Sequence, residues 1–146
     1  MMEVVHWKDQ QLFLLDQTKL PHQTNYISCA RYQDVANAIY LLQVRGAPAI
    51  GVAAAYGYAL AAFNYQEGIG LSLEHFLQQA ARELLATRPT AVNLRWALNQ
   101  MNEVFLSLQG KTITQIRDGL LDAAFQIHEK EMELEKNMAS WGASLI

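Results

Sequence analysis

A stretch of 21 residues without Lys, Arg, Asp or Glu restricts the fold of this chain more than any other feature. It covers residues 46–66, and its apolar part, residues 49–63, consists mostly of Ala, Gly and aliphatic side chains. About fifteen apolar residues are fewer than the roughly 18 that indicate a membrane-spanning helix. We therefore expect a helix buried inside a soluble domain, where small side chains allow neighbouring helices to approach closely.

The composition is that of one globular domain without a general affinity for polyanions. The chain has 146 residues, of which 51% are hydrophobic and 17% charged, and its formal net charge is −3. A weakly acidic protein has no broad attraction for nucleic acid or anionic membranes. The single cysteine, Cys29, cannot form a disulfide within the chain. Because the N-terminus also lacks a secretory signal, we expect a reducing compartment, the cytoplasm.

The first 30 residues predict a small antiparallel sheet. Residues 4–7 and 12–15 are rich in β-prone side chains and are separated by a short polar link, which is typical of a hairpin. Residues 24–30 predict a third strand. The pattern then becomes helical over residues 31–44, and Pro48 suits the first turn of a second helix.

The whole chain predicts an α+β fold, in which the N-terminal sheet is followed by a bundle of about five helices. We expect Ser72, Thr90 and either Thr112 or Thr114 to cap the later helices, because short polar side chains accept hydrogen bonds from free N–H groups there. The side chains expected to face inward in the first and last helices are Val35, Ile39, Leu42, Ile116, Leu120, Ala124, Ile127, Leu134 and Met138.

The sequence Arg45-Gly46-Ala47-Pro48, just before the uncharged stretch, is a candidate anion site. Free N–H groups and the helix dipole favour negative charge at a helix start. Small residues let a ligand approach the backbone, and an arginine adds a bidentate donor for phosphate or carboxylate. The simpler interpretation is an exposed arginine before a proline-initiated helix.

A second arginine occupies an equivalent position in Thr87-Arg88-Pro89-Thr90, ahead of a later helix. Two such turns could converge on one anionic ligand. Alone, this turn is better explained as a surface loop with an ordinary N-cap. Gly51 and Gly57 each cost about 1 kcal/mol relative to Ala inside a helix, which indicates a reason in packing or in ligand access.

Other reactive side chains are scattered. His6, His22, His75 and His128 show no metal-binding spacing, and Cys29 has no second cysteine near it, so a structural thiol is the better interpretation. The spacing of these residues therefore predicts no metal site, and we also expect no organic cofactor.

Three segments resemble the methylthioribose-1-phosphate isomerase family. Residues 44–62, VRGAPAIGVAAAYGYALAA, are similar to its signature, and residues 88–101, RPTAVNLRWALNQM, to its second N-terminal motif. Residues 12–21, LFLLDQTKLP, resemble the strand and turn before its first helix. The wider superfamily also contains ribose-1,5-bisphosphate isomerases and regulatory subunits of a translation-initiation exchange factor.

The resemblance covers residues 4–141 and implies that the chain, residues 1–146, is the N-terminal domain of a longer two-domain protein. It implies that Arg45, Gly46, Ala47 and Arg88 contact the phosphorylated sugar. The catalytic Cys and Asp would belong to a C-terminal Rossmann-like domain that is absent here, so the fragment alone would be inactive. The implied reaction is an aldose–ketose isomerisation in methionine salvage.

The implied partners are the sugar phosphate and that catalytic domain, with neither nucleic acid nor membrane. Apolar surface left by a missing domain would favour association, for example as a homodimer. Two functional alternatives stay open within the resemblance: a non-catalytic regulatory domain of the initiation-factor branch, and an isomerase of a related ribose phosphate. A sugar-phosphate-binding module that stands alone is a third.

Overall fold

A computed structural model describes the backbone of residues 4–144 and the side chains of residues 4–134. It shows a three-stranded antiparallel sheet followed by five helices, which confirms the predicted α+β class. The elements are β1 (Val5–Lys8), β2 (Gln11–Leu15), a short 3-10 helix (Gln17–Lys19), β3 (Tyr26–Cys29), α1 (Tyr32–Tyr40), α2 (Ala47–Asn64), α3 (Leu73–Thr87), α4 (Val92–Ser107) and α5 (Ile113–Ser144).

The sheet is a meander in the order β1-β2-β3, as the sequence predicts. Lys8 pairs with Gln11, which leaves a two-residue turn at Asp9 and Gln10, both with positive φ (54° and 59°). Positive φ at both positions is the requirement of a type I′ hairpin turn, which usually contains glycine. Strand pairing therefore holds a turn that these residue types do not favour by themselves.

Helix α2 packs against every other helix and against β1 and β2. All thirteen residues from Ile50 to Ala62 are buried, as expected for a helix without a polar face. Trp7 of β1 stacks on Tyr56 with ring centroids 6.0 Å apart, so the sheet covers one side of the helix. Over the described residues, no helix is long and apolar enough to cross a membrane.

The C-terminal end of α2 is fixed by hydrogen bonds to two other parts of the chain. Arg117 of α5 donates from Nε to the Ala62 carbonyl (2.8 Å) and from Nη2 to the Tyr65 carbonyl (2.7 Å). Carbonyl groups at a helix end lack partners within the helix, and Arg117 provides them. The side chain of Asn64, the last residue of α2, accepts from the N–H of Tyr32 (3.1 Å) and donates to the carbonyl of Ala30 (2.9 Å), which ties this end to the start of α1.

The first helix is shorter than the predicted range 31–44, because a Schellman motif ends it at Tyr40. Leu42 has φ +61°, the N–H of Leu42 donates to Ile39 (3.1 Å), and that of Gln43 donates to Ala38 (3.0 Å). A left-handed residue with these two bonds defines the motif. Leu42 is therefore 46% exposed, and its predicted inward position is wrong.

Two further predictions about helix ends and faces are wrong. Thr90 does not cap α4; Ala91 is its N-cap residue and gives no side-chain hydrogen bond. Leu134 is 54% exposed rather than buried. Met138 lies outside the residues whose side chains are described. Ser72 and Thr112 do cap α3 and α5, as predicted.

We predict that Arg117→Met lowers the free energy of unfolding by about 1–3 kcal/mol, the usual contribution of hydrogen bonds from a charged donor. Methionine keeps much of the apolar stem and removes only the donors. Arg82→Met on α3 is the matched control, since Arg82 is exposed. Urea unfolding measures the free energy of unfolding of both variants and of the parent. Equal losses in the two variants would show that the bonds to α2 contribute nothing.

Candidate functional site

The start of α2 is open on its outer side. Its N-cap residue, Gly46, has φ +89° and ψ 133°, a conformation that favours glycine. A methyl group added there would meet no atom within 4 Å. No side chain caps this helix, and Pro48 lies in its first turn. Pro48 has no N–H, so the N–H groups of Ala47 and Ala49 are the ones in this first turn that have no helical acceptor, and Ala47 is exposed.

The start of α4 is uncapped in the same way. Its N-cap residue is Ala91, whose N–H donates to the carbonyl of Arg88 (3.0 Å) and whose carbonyl accepts from Arg95 (3.2 Å). These bonds form the turn but leave the N–H groups of the first helical residues without a side-chain acceptor. Val92, the first of them, is 77% exposed.

The other helices of the bundle have acceptors at their starts. The Ser72 hydroxyl accepts from the N–H of His75 in α3 (3.1 Å), and the Thr112 hydroxyl accepts from Gln115 in α5 (3.2 Å). At α1, the Asn64 side chain accepts from the N–H of Tyr32, the first helical residue (3.1 Å). Only α2 and α4, which follow the two predicted anion-binding arginines, begin without such a cap among the described residues.

The structure also brings these two starts together. A methyl group added to Gly51 would lie 3.1 Å from the carbonyl oxygen of Asn93, so the two backbones are in near contact. Gly57 packs similarly close to Val35, and packing therefore accounts for both glycines. A groove of about 430 Å³ runs between the helix starts and α5, lined by Pro48, Gly51, Val52, Val92, Asn93, Trp96, Ile127, Lys130, Glu131 and Leu134.

The two arginines lie in the turns that precede these helices. Arg45 is exposed and its Nε donates to the Leu42 carbonyl (3.3 Å), so the Schellman turn orients it. Arg88 is half-buried at the C-terminal end of α3. Within residues 4–134 no hydrogen bond or ion pair joins the two side chains. Gly46 and Ala47 are exposed beside Arg45.

Asp16 fixes the segment that carries Arg45, a role that the sequence analysis missed. It is 4% exposed, and its carboxylate accepts from the Thr18 N–H (3.0 Å) and from Gln43 Nε2 (3.3 Å). The N–H of Gln17 donates to the Gln43 carbonyl (2.9 Å). The Asp-x-Thr pattern at residues 16–18 is a known turn signal and could have indicated part of this arrangement.

The remaining cysteine and histidine side chains form no metal site within the described part of the chain. Cys29 is fully buried; burial, followed by the nearby charge of Asp34, raises the pKa of its thiol to about 12. The interpretation of Cys29 as a structural thiol agrees with that burial. Nδ1 of His128 lies 2.7 Å from the Tyr56 hydroxyl. In the described part of the chain, no group of three His, Cys, Asp or Glu side chains could hold a metal ion.

Comparison with known proteins places the chain in a known family. The sequence pattern of the Initiation factor 2 subunit family matches residues 43–146, which is more than half of the chain, and the chain belongs to that family. Within the family it is similar to proteins named methylthioribose-1-phosphate isomerase. The one from Carboxydothermus hydrogenoformans is 43% identical over 145 residues. The one from Pelotomaculum thermopropionicum is 45% identical over 147 residues.

These matches cover 99–100% of this chain but 42% and 40% of the two relatives, so the chain spans about four tenths of their length. Two solved structures share the fold. One is the translation initiation factor eIF-2B, subunit delta, from A. fulgidus, with TM-score 0.89, 36% identity, and coverage of 100% of this chain and 42% of that one. The other is 5-methylthioribose 1-phosphate isomerase from Pyrococcus horikoshii OT3, with TM-score 0.79, 32% identity, and coverage of 89% and 36%.

We predict that Asp16→Asn loosens the Arg45 segment and lowers the free energy of unfolding at pH 7 by about 1–3 kcal/mol. Burial alone would raise the pKa of Asp16, but hydrogen bonds from Thr18 and Gln43 outweigh it, so the pKa lies below its usual 3.8. The carboxylate therefore contributes stability above about pH 4, and this contribution is lost as pH falls through the lower folded-state pKa.

The measurement is urea unfolding of the parent and the variant between pH 7 and pH 3. The difference between them should shrink toward the acidic end. Asp118→Asn on α5 is the control, because Asp118 is exposed and its side chain makes no hydrogen bond to the other described residues. A parent–variant difference that stays constant with pH would contradict the role of the carboxylate.

Proposed function

We propose that this chain is the N-terminal, substrate-binding domain of a methylthioribose-1-phosphate isomerase. Relatives with that name are 43–45% identical over essentially the whole chain, and a solved structure with that activity in its name shares the fold. The proposal assigns substrate contact to Arg45, Gly46, Ala47 and Arg88, and the buried thiol of Cys29 suits a cytoplasmic enzyme.

The observation that carries the proposal is the pair of uncapped helix starts. The near contact of Gly51 with Asn93 means that the N-terminal parts of α2 and α4 lie side by side, and the N-terminal end of a helix carries partial positive charge. Free N–H groups and dipoles of this kind bind phosphate, and the preceding turns add Arg45 and Arg88 as charged donors. The adjoining groove contains apolar side chains, including Trp96, which is 48% exposed. Such a surface suits the less polar part of a small ligand.

In this role the domain would orient the substrate and stabilise its charge. The isomerisation opens the sugar ring while the phosphate stays attached, and moves hydrogen between C2 and C1. Fixed positive charge holds the phosphate during these steps without reorganisation. We assign the proton-transfer groups to the part of the isomerase that this chain does not span. We therefore expect no turnover by the 146-residue chain alone.

A second candidate is a regulatory domain of the exchange-factor branch. The eIF-2B delta structure has a higher TM-score than the isomerase structure, 0.89 against 0.79, and covers more of this chain. The candidates differ in what must follow residue 146. An isomerase requires a catalytic Cys and Asp downstream, and a regulatory subunit does not. Reading the gene past the codon for Ile146, and assaying its complete product on methylthioribose 1-phosphate, decides between them.

We predict that Arg45→Gln and Arg88→Gln each weaken binding of methylthioribose 1-phosphate to this chain by about tenfold, the effect of one charge-assisted contact. Isothermal titration calorimetry measures the dissociation constant of the sugar phosphate for the parent and each variant. Arg31→Gln is the control, because its ion pair with Asp34 is on the surface (66% exposed at Arg31) and exposed pairs contribute little.

Equal affinity in the parent and both variants would refute the assignment of these arginines. Turnover by the 146-residue chain would refute the assignment of the proton-transfer groups elsewhere. If the complete gene product isomerises a different ribose phosphate and not this one, the substrate is wrong while the class of reaction stands.

A further inference from the structure

Tyr58 is a core residue that lines a cavity, and its hydroxyl has no hydrogen-bond partner in the described part of the chain. The residue is 1% exposed, and the structure gives its hydroxyl no hydrogen bond among the described residues. In the same part of the chain, no polar side-chain atom that is completely enclosed lacks a partner. The Tyr58 hydroxyl is therefore reached from outside the protein, through the cavity. Tyr56, the other large tyrosine in the buried run of α2, pairs with His128.

The cavity lies between α3 and α4, and its other polar walls are arginine and amide side chains. It has a volume of about 320 Å³, and Arg82, Arg95, Gln78, Asn99 and Asn102 line it together with Tyr58. This volume is at the lower end of the roughly 300–1,000 Å³ of small-molecule sites. None of these residues lines the groove at the helix starts, so the two are separate.

The two guanidinium groups keep donors available. Arg82 has no hydrogen bond or ion pair in the described structure. Arg95 donates from Nη2 to the carbonyl of Pro89 (3.2 Å), which holds its side chain in place while other N–H groups stay free. Burial, followed by the nearby charge of Glu74, raises the pKa of Tyr58 above its usual value. The hydroxyl thus stays protonated at neutral pH and can donate.

We propose that this cavity is a second anion site, which binds the phosphate group of a small phosphorylated molecule between Arg82, Arg95 and the Tyr58 hydroxyl. Guanidinium groups bind phosphate through paired N–H donors, and the phenol adds a neutral donor from the floor. Gln78, Asn99 and Asn102 can both donate to and accept from hydroxyl groups on the rest of the ligand. This combination favours an organic phosphate over inorganic phosphate.

The test is a titration of the uniformly 15N-labelled 146-residue chain with ribose 5-phosphate and, separately, with inorganic phosphate at matched ionic strength. Side-chain amide signals of Gln78, Asn99 and Asn102 report on the cavity. We expect saturable shifts with both probes and tighter binding of ribose 5-phosphate. Arg82→Gln should weaken binding at these signals about tenfold. Tyr58→Phe should weaken it severalfold, because only the hydroxyl is removed.

Arg45→Gln separates this site from the proposed substrate site. It should leave the cavity shifts unchanged and reduce only those of residues 45–48. Shifts confined to residues 45–48 and 88–92 would overturn the second site and leave the proposed function intact. Equal dissociation constants at the cavity signals for the parent, Arg82→Gln and Tyr58→Phe would also overturn it. Inorganic phosphate binding as tightly as ribose 5-phosphate would refute the organic phosphate as the ligand.

Discussion

The burial of α2 on all sides is the constraint on which the rest of this structure depends. A helix without a polar face must be covered completely, and four helices and two strands together cover it. Close approach is possible because most of its side chains are small, and at Gly51 the neighbouring backbone leaves little room even for a methyl group. The position of α4, and with it the pairing of the two helix starts, follows from this packing.

The parts of the fold that depend on residue type were predictable from the sequence. The uncharged stretch, Pro48 and the cap at Ser72 indicated the extent of α2 and the start of α3 closely. Features that depend on contacts distant in the sequence were not predictable. Leu42 ends α1 in a left-handed conformation because the following residue, Gln43, pairs with Gln17 and Asp16, and no local pattern indicates that.

The candidate site was also predictable from the sequence only in part. An arginine before a glycine and a proline indicated anion binding at α2, and the second arginine indicated it at α4. That the two starts adjoin was only one possibility at the level of sequence, because it depends on Gly51 meeting Asn93 across the core. The error at Thr90 had a useful outcome. Thr90 gives no cap to α4, so a rule about local stability failed at a place where the binding that we propose would explain the failure.

The complete enclosure of α2 also determines how this domain can open. Amide protons in the middle of such a helix can exchange with solvent only when the surrounding elements separate, which is close to global unfolding. A ligand held at the first turn of α2 therefore binds a part of the molecule that exists only in the native state. Its binding energy would stabilise the whole domain rather than a local segment. Slower hydrogen exchange in the middle of α2 would therefore indicate that a ligand is bound at the first turn of the helix.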